Sequence, residues 1–97
     1  MIKRWDDAGY EQKRPDTITV TLLKDGTVYD TRTISRMDSW QYTWSGLPRY
    51  NPDGTEIVWT IQENAVPGYI SSIRETGDTF ILTNIPEHQK LPQTGLL

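Results

Sequence analysis

The chain reads as an all-β sandwich of about seven short strands, and three observations carry that expectation. Apolar residues alternate with period two through most of the sequence, turn chemistry recurs between the alternating stretches, and no stretch has a helical period. Its 97 residues suffice for one hydrophobic core rather than two.

Taken in order, Ile2 to Trp5 supplies a short first strand. Thr17 to Leu22 sets Ile18, Val20 and Leu22 on one face and three threonines on the other, the pattern of a half-buried strand. Asp25-Gly26 is hairpin-turn chemistry, and Thr27 to Ser35 returns as a more polar strand. Trp40-Gln-Tyr-Thr-Trp predicts a further strand with Trp40, Tyr42 and Trp44 on one side, Trp44 buried and Trp40 at least half-buried. Tyr50-Asn-Pro-Asp-Gly is a loop. Ile57, Trp59, Ile61 and Glu63 share one face of the next strand. Val66-Pro-Gly-Tyr is a type II turn, with Gly68 taking the positive φ. Tyr69 to Glu75 and Thr79 to Ile85 complete the set around Gly77-Asp78. Residues 1–85 form the domain and residues 86–97 a flexible tail.

Composition narrows the function classes. Ten basic and thirteen acidic side chains give a net charge of −3, and no basic run marks a nucleic-acid partner. Without cysteine there is neither a disulfide framework nor a thiolate metal site. The single histidine, His88, is a solvated tail residue, because zinc needs several convergent donors; no cofactor or metal is expected. No segment approaches the ~20 apolar residues that cross a bilayer. The opening MIKRWDDAGY carries no hydrophobic signal region, so export is not encoded in this stretch.

Inward parity raises a chemical question. Asn84 follows Phe80 and Leu82 on the inward face of the last strand, Glu63 follows Trp59 and Ile61, and Lys3 shares parity with Trp5. Singly, each has a bland explanation: a snorkelling lysine, a strand-capping carboxylate, a turn-starting asparagine. Together they place an amine, a carboxyl and a carboxamide in line with core residues, and burying such groups unpaired is costly. Burial drives an interior amine toward its neutral, nucleophilic form and an interior carboxyl toward the acid. Lys3 Nζ could then attack the Asn84 side-chain carbonyl while Glu63 relays protons, with ammonia leaving and an amide joining the first strand to the last.

The ordered stretches IKRWDD, KRPDTITVTLLKDG, WQYTWSGLP, IVWTIQE, VPGY and FILTNI resemble a Cna B-type (CnaB) domain of Gram-positive surface proteins over roughly residues 1–85. The resemblance implies a reverse immunoglobulin-like, prealbumin-like sandwich and a Lys–Asn isopeptide bond assisted by an acidic residue. By motif those roles fall on Lys3, Asn84 and Glu63. Trp44 and Trp59 stand where Phe and Tyr are usual, and AGYEQKRP replaces a loop richer in Asn, Asp and Gly; neither departure touches the trio.

The tail adds a second motif. Leu91-Pro92-Gln93-Thr94-Gly95 resembles the LPxTG signal of sortase substrates, which a transpeptidase cleaves between Thr and Gly. The resemblance implies transfer to cell-wall peptidoglycan or a pilin lysine, and a secreted, wall-anchored location. The apolar span and basic tail that normally follow are absent from this sequence, and Leu96-Leu97 stand where the span would begin. The expected role is a structural stalk or anchor module of a surface adhesin or ancillary pilin, with any host ligand engaged through other domains. The alternative is a binding module that uses Trp40, Tyr42 and Trp44 to stack on carbohydrate or protein. An enzyme built on Asp6, Asp7 and Asp16 is the weakest reading: these lie among opposite charges, fit a solvated turn, and lack any nucleophile–base set beside them.

Overall fold

The computed structural model describes residues 1–87 as two packed three-stranded sheets. Its six strands are β1 (Ile2–Trp5), β2 (Thr17–Lys24), β3 (Thr27–Ser35), β4 (Trp59–Glu63), β5 (Tyr69–Thr76) and β6 (Thr79–Pro86). One sheet has the order β1-β6-β5 and the other β3-β2-β4. The all-β sandwich expected from period-two patterning is therefore the observed architecture.

Alternation determines which side of β2 is inside. Ile18, Val20 and Leu22 are all buried there, against Ile34 of β3, Ile61 of β4 and Leu82 of β6. At about 25 cal/mol per Å² of apolar surface, a slip of one residue would carry this whole set to solvent, so the register is strongly specified. The β2–β3 hairpin turns through Asp25 and Gly26 at φ 50 and 84, both in the left-handed region that a two-residue hairpin of this hand requires. At Val66–Tyr69 the amide of Tyr69 donates to Val66 O at 3.0 Å with Gly68 at φ 83, the expected type II geometry.

Two sequence expectations are corrected here. Trp40–Trp44 does not form a strand. It makes one isolated bridge, Gln41 with Ile2, supported by Lys3 N donating to Trp40 O and Tyr42 N donating to Met1 O. Ser39 and Trp40 both take positive φ, 55 and 53, which bends the entry to the segment, and β1 offers only four residues to pair with. Trp44 is half-buried rather than buried, because its ring lines an open groove, with Nε1 donating to Asp30 Oδ2 at 2.9 Å. Side-chain alternation nevertheless persists: Trp40, Tyr42 and Trp44 are half-buried while Gln41 and Thr43 are exposed.

β6 continues to Pro86, which is buried and pairs with Tyr69, and Glu87 N donates to Gly68 O at 2.8 Å. The expected tail motif, Leu91 to Gly95, and His88 lie outside the described residues.

Candidate functional site

β1 and β6 run parallel, with Lys3 opposite Leu82 and Trp5 opposite Asn84. The amide of Asp6 donates to Asn84 O at 2.9 Å, holding the end of β1 against β6. Glu63 ends β4 in the facing sheet, opposite Val20 of β2. An amine and a carboxamide thus enter the core from one sheet and a carboxyl from the other.

The core at this point is closed to bulk solvent. The Lys3 side chain is 0% exposed and that of Glu63 2%, and Nζ lies 3.1 Å from Glu63 Oε2. Asn84 is completely buried. Among the described residues, Lys3 Nζ and Glu63 Oε2 have only each other, and both amide atoms of Asn84, like Trp5 Nε1, have no hydrogen-bond partner. Native proteins pair nearly all such groups, so a fully buried carboxamide left unpaired calls for a chemical explanation. Burial holds the Lys3 amine below its usual value; the attraction of Glu63 opposes that shift without cancelling it.

Aromatic rings close the site. Lys3 Nζ sits 4.2 Å from the centroid of the Trp5 ring. Trp5 makes edge-on contacts with Trp40 at 5.2 Å and Tyr69 at 5.1 Å. The bent Trp40–Trp44 segment therefore has a structural task at its first residue, backing the Trp5 ring that Lys3 Nζ faces. Its three aromatics do not act as one strip: Trp40 packs on Trp5, whereas Tyr42 and Trp44 pair with each other at 5.0 Å.

Asp7 corrects the expectation of a solvated acidic turn. It is 1% exposed, and Arg14 donates to it through Nε at 2.8 Å and Nη2 at 2.6 Å. Tyr69 Oη adds a third bond at 2.8 Å. The guanidinium of Arg14 lies 5.3 Å from the Trp5 ring centroid, so this network abuts the Lys3 enclosure. These contacts, Arg14 first, hold the Asp7 carboxyl below the usual carboxylate range. Asp6 and Asp16 are exposed, and the described residues contain no group of three potential metal ligands. The signal for Asp7 was present in the sequence: it continues the inward parity of Lys3 and Trp5. Arg14 has no such signal, since it is brought in from a loop by the fold.

Comparison with known proteins agrees with the fold. The family model described as Cna protein B-type domain matches residues 1–85. A collagen adhesin of Staphylococcus aureus is 35% identical over 75 residues, which cover 76% of this chain and 6% of that protein. A single B repeat unit of the collagen-binding surface protein of Staphylococcus aureus superposes with a TM-score of 0.79 at 30% identity, over 88% of this chain and 47% of that one. A pilus adhesin of Lactobacillus rhamnosus GG superposes with a TM-score of 0.66 at 25% identity, over 87% of this chain and 11% of that one. The chain thus spans a small part of the curated relative it matches.

Proposed function

Because the chain belongs to the Cna protein B-type domain family, a family of surface-adhesin and pilin-like modules, we propose that it is a structural stalk module locked by a Lys3–Asn84 isopeptide bond. The observation that carries this reading is a buried Lys3–Glu63 pair at 3.1 Å together with a fully buried, unpartnered Asn84 carboxamide, two residues along β6 from the Leu82 that faces Lys3.

The chemistry balances within the cluster. A proton passes from the Lys3 ammonium to Glu63, leaving a neutral amine. Nζ attacks Asn84 Cγ, the carbonyl oxygen taking negative charge that the protonated Glu63 stabilises. The C–N bond to the carboxamide nitrogen then breaks, that nitrogen leaves as ammonia, and Glu63 mediates the remaining proton transfers. Ammonia ends as ammonium in water, Glu63 is regenerated, and one C–N bond has replaced another. The reaction happens once per molecule, so the chain is its own substrate rather than a turnover enzyme.

Intact mass tests the proposal. The folded protein is expected to be lighter than its sequence mass by one ammonia, and Glu63→Gln to keep the fold at full mass. Full mass in the folded wild-type protein would overturn the cross-link.

We further propose that Leu91–Gly95 is a sortase signal that joins the module to peptidoglycan or a pilin lysine at the cell surface. The surface-protein relatives support that location, and any collagen or other host ligand would be engaged by domains outside this chain.

A further inference from the structure

Away from the Lys3 cluster, the two sheets part to leave a groove of about 770 Å³. That volume lies within the range of pockets that hold ligands and exceeds what one side chain fills. Leu22 and Ile57, both buried, line its depth, and Trp44, Trp59 and Phe80 are half-buried along it. The groove runs between the start of β4 and the β5–β6 turn, and β4 and β5 are both edge strands. Edge strands leave backbone donors and acceptors open to an added extended segment.

Carboxylates outnumber cations around the groove. Glu56, Glu75 and Asp78 line it, against Arg49, whose guanidinium is already paired with Glu56 at 3.1 Å. Met1 also contributes, and its amino group donates to Tyr42 O at 2.8 Å. Neither indole N–H is open to a ligand: Trp59 Nε1 donates to Pro48 O at 3.0 Å and Trp44 Nε1 to Asp30 at 2.9 Å. What the two rings offer a ligand is π surface, which attracts cations, beside the carboxylates of Glu75 and Asp78. Among the described residues neither Glu75 nor Asp78 is in a salt bridge, so both carboxylates remain open to a cation.

We propose that this groove is a docking site for a polypeptide partner, taking an extended segment with a lysine or arginine flanked by apolar residues. The aliphatic stem and its neighbours cover the apolar depth, while the cationic head meets the aromatic rings and the Glu75–Asp78 rim. The site is independent of the Lys3–Asn84 bond and stands whether or not that bond forms.

Nuclear magnetic resonance titration of the full chain tests it, with the acetylated, amidated peptide Gly-Leu-Lys-Leu-Gly as probe. The indole signals of Trp44 and Trp59 are expected to shift saturably, while those of Trp5 and Trp40, outside the groove, stay in place. Replacing the peptide lysine by Nε-acetyl-lysine, which keeps the stem and removes the charge, is expected to weaken binding about tenfold, or roughly 1.4 kcal/mol. The double variant Glu75→Gln, Asp78→Asn is expected to erase most of that difference without unfolding the protein, since both side chains are exposed. Equal binding of the acetylated peptide, shifts centred on other residues, or no saturation by about 10 mM would each overturn the proposal. So would preferential binding of a chitin-type oligosaccharide in the same groove.

Discussion

Asp7 shows how much a single buried side chain can contribute to joining elements distant in sequence. Its carboxylate ties the loop after β1, through Arg14, to Tyr69 at the start of β5. Asp7→Asn is expected to lower stability by about 1–3 kcal/mol, because it weakens charge-assisted bonds at a buried site. The pH dependence has a definite sign. A carboxyl with a lowered folded pKa contributes stability above its ordinary value near 3.8, and that contribution is lost as pH falls through the lowered value. Acid unfolding of the wild type should therefore show a component below pH 4 that Asp7→Asn lacks. Tyr69 moves the other way: burial, with help from Asp7, pushes its phenol up to about 12. Its contribution is complete below pH 10 and lost as pH rises through about 12. Ultraviolet titration should show one phenolate appearing late, and Tyr69→Phe should remove it.

At the scale of elements, turns and short pairings position the site. Gly68 sits at φ 83 in the turn leading into β5, and a Cβ there would meet nothing within 4 Å. Gly68→Ala should therefore cost only the left-handed backbone conformation, about 1–2 kcal/mol, measured by denaturant unfolding. A much larger loss would mean that the turn has a packing role the geometry does not reveal. The Trp40–Trp44 segment makes the complementary point. Trp40 O accepts from Lys3 N at 2.8 Å, so a backbone bond ties the segment to Lys3 while its first ring packs on the Trp5 ring that the Lys3 amine faces.

For the whole molecule, the proposed bond joins two parallel strands from opposite ends of the chain. It would close a loop of about 80 residues, and chain entropy by analogy with other cross-links suggests about 4–5 kcal/mol. That is a large fraction of a small domain's stability. Asn84→Ala, which cannot form the bond, is expected to melt roughly 20 °C or more below the wild type in calorimetry. Tension applied at both termini would be borne by the β1–β6 pair, where an amide prevents the strands from parting. Deleting residues 88–97 is expected to leave the melting temperature within about 2 °C while abolishing sortase transfer, since β6 and its buried Pro86 precede the cut. A larger drop in melting temperature would show that the tail packs on the domain.

Period-two alternation by itself determined the sandwich, the inward face of β2, and the burial of Lys3 and Asn84, because side chains on a strand have only two directions. Turn residues such as Asp25-Gly26 and Pro67-Gly68 located the reversals, since few residues tolerate the dihedrals required. Tertiary structure alone decided which groups meet. Alternation assigns a face but no neighbour, so it could not bring Glu63 across from the other sheet to 3.1 Å from Lys3. Nor could it draw Arg14 out of a loop onto Asp7. The same limit explains the aromatic segment: parity described its sides correctly, but the four residues of β1 and two positive φ angles reduced its pairing to one bridge.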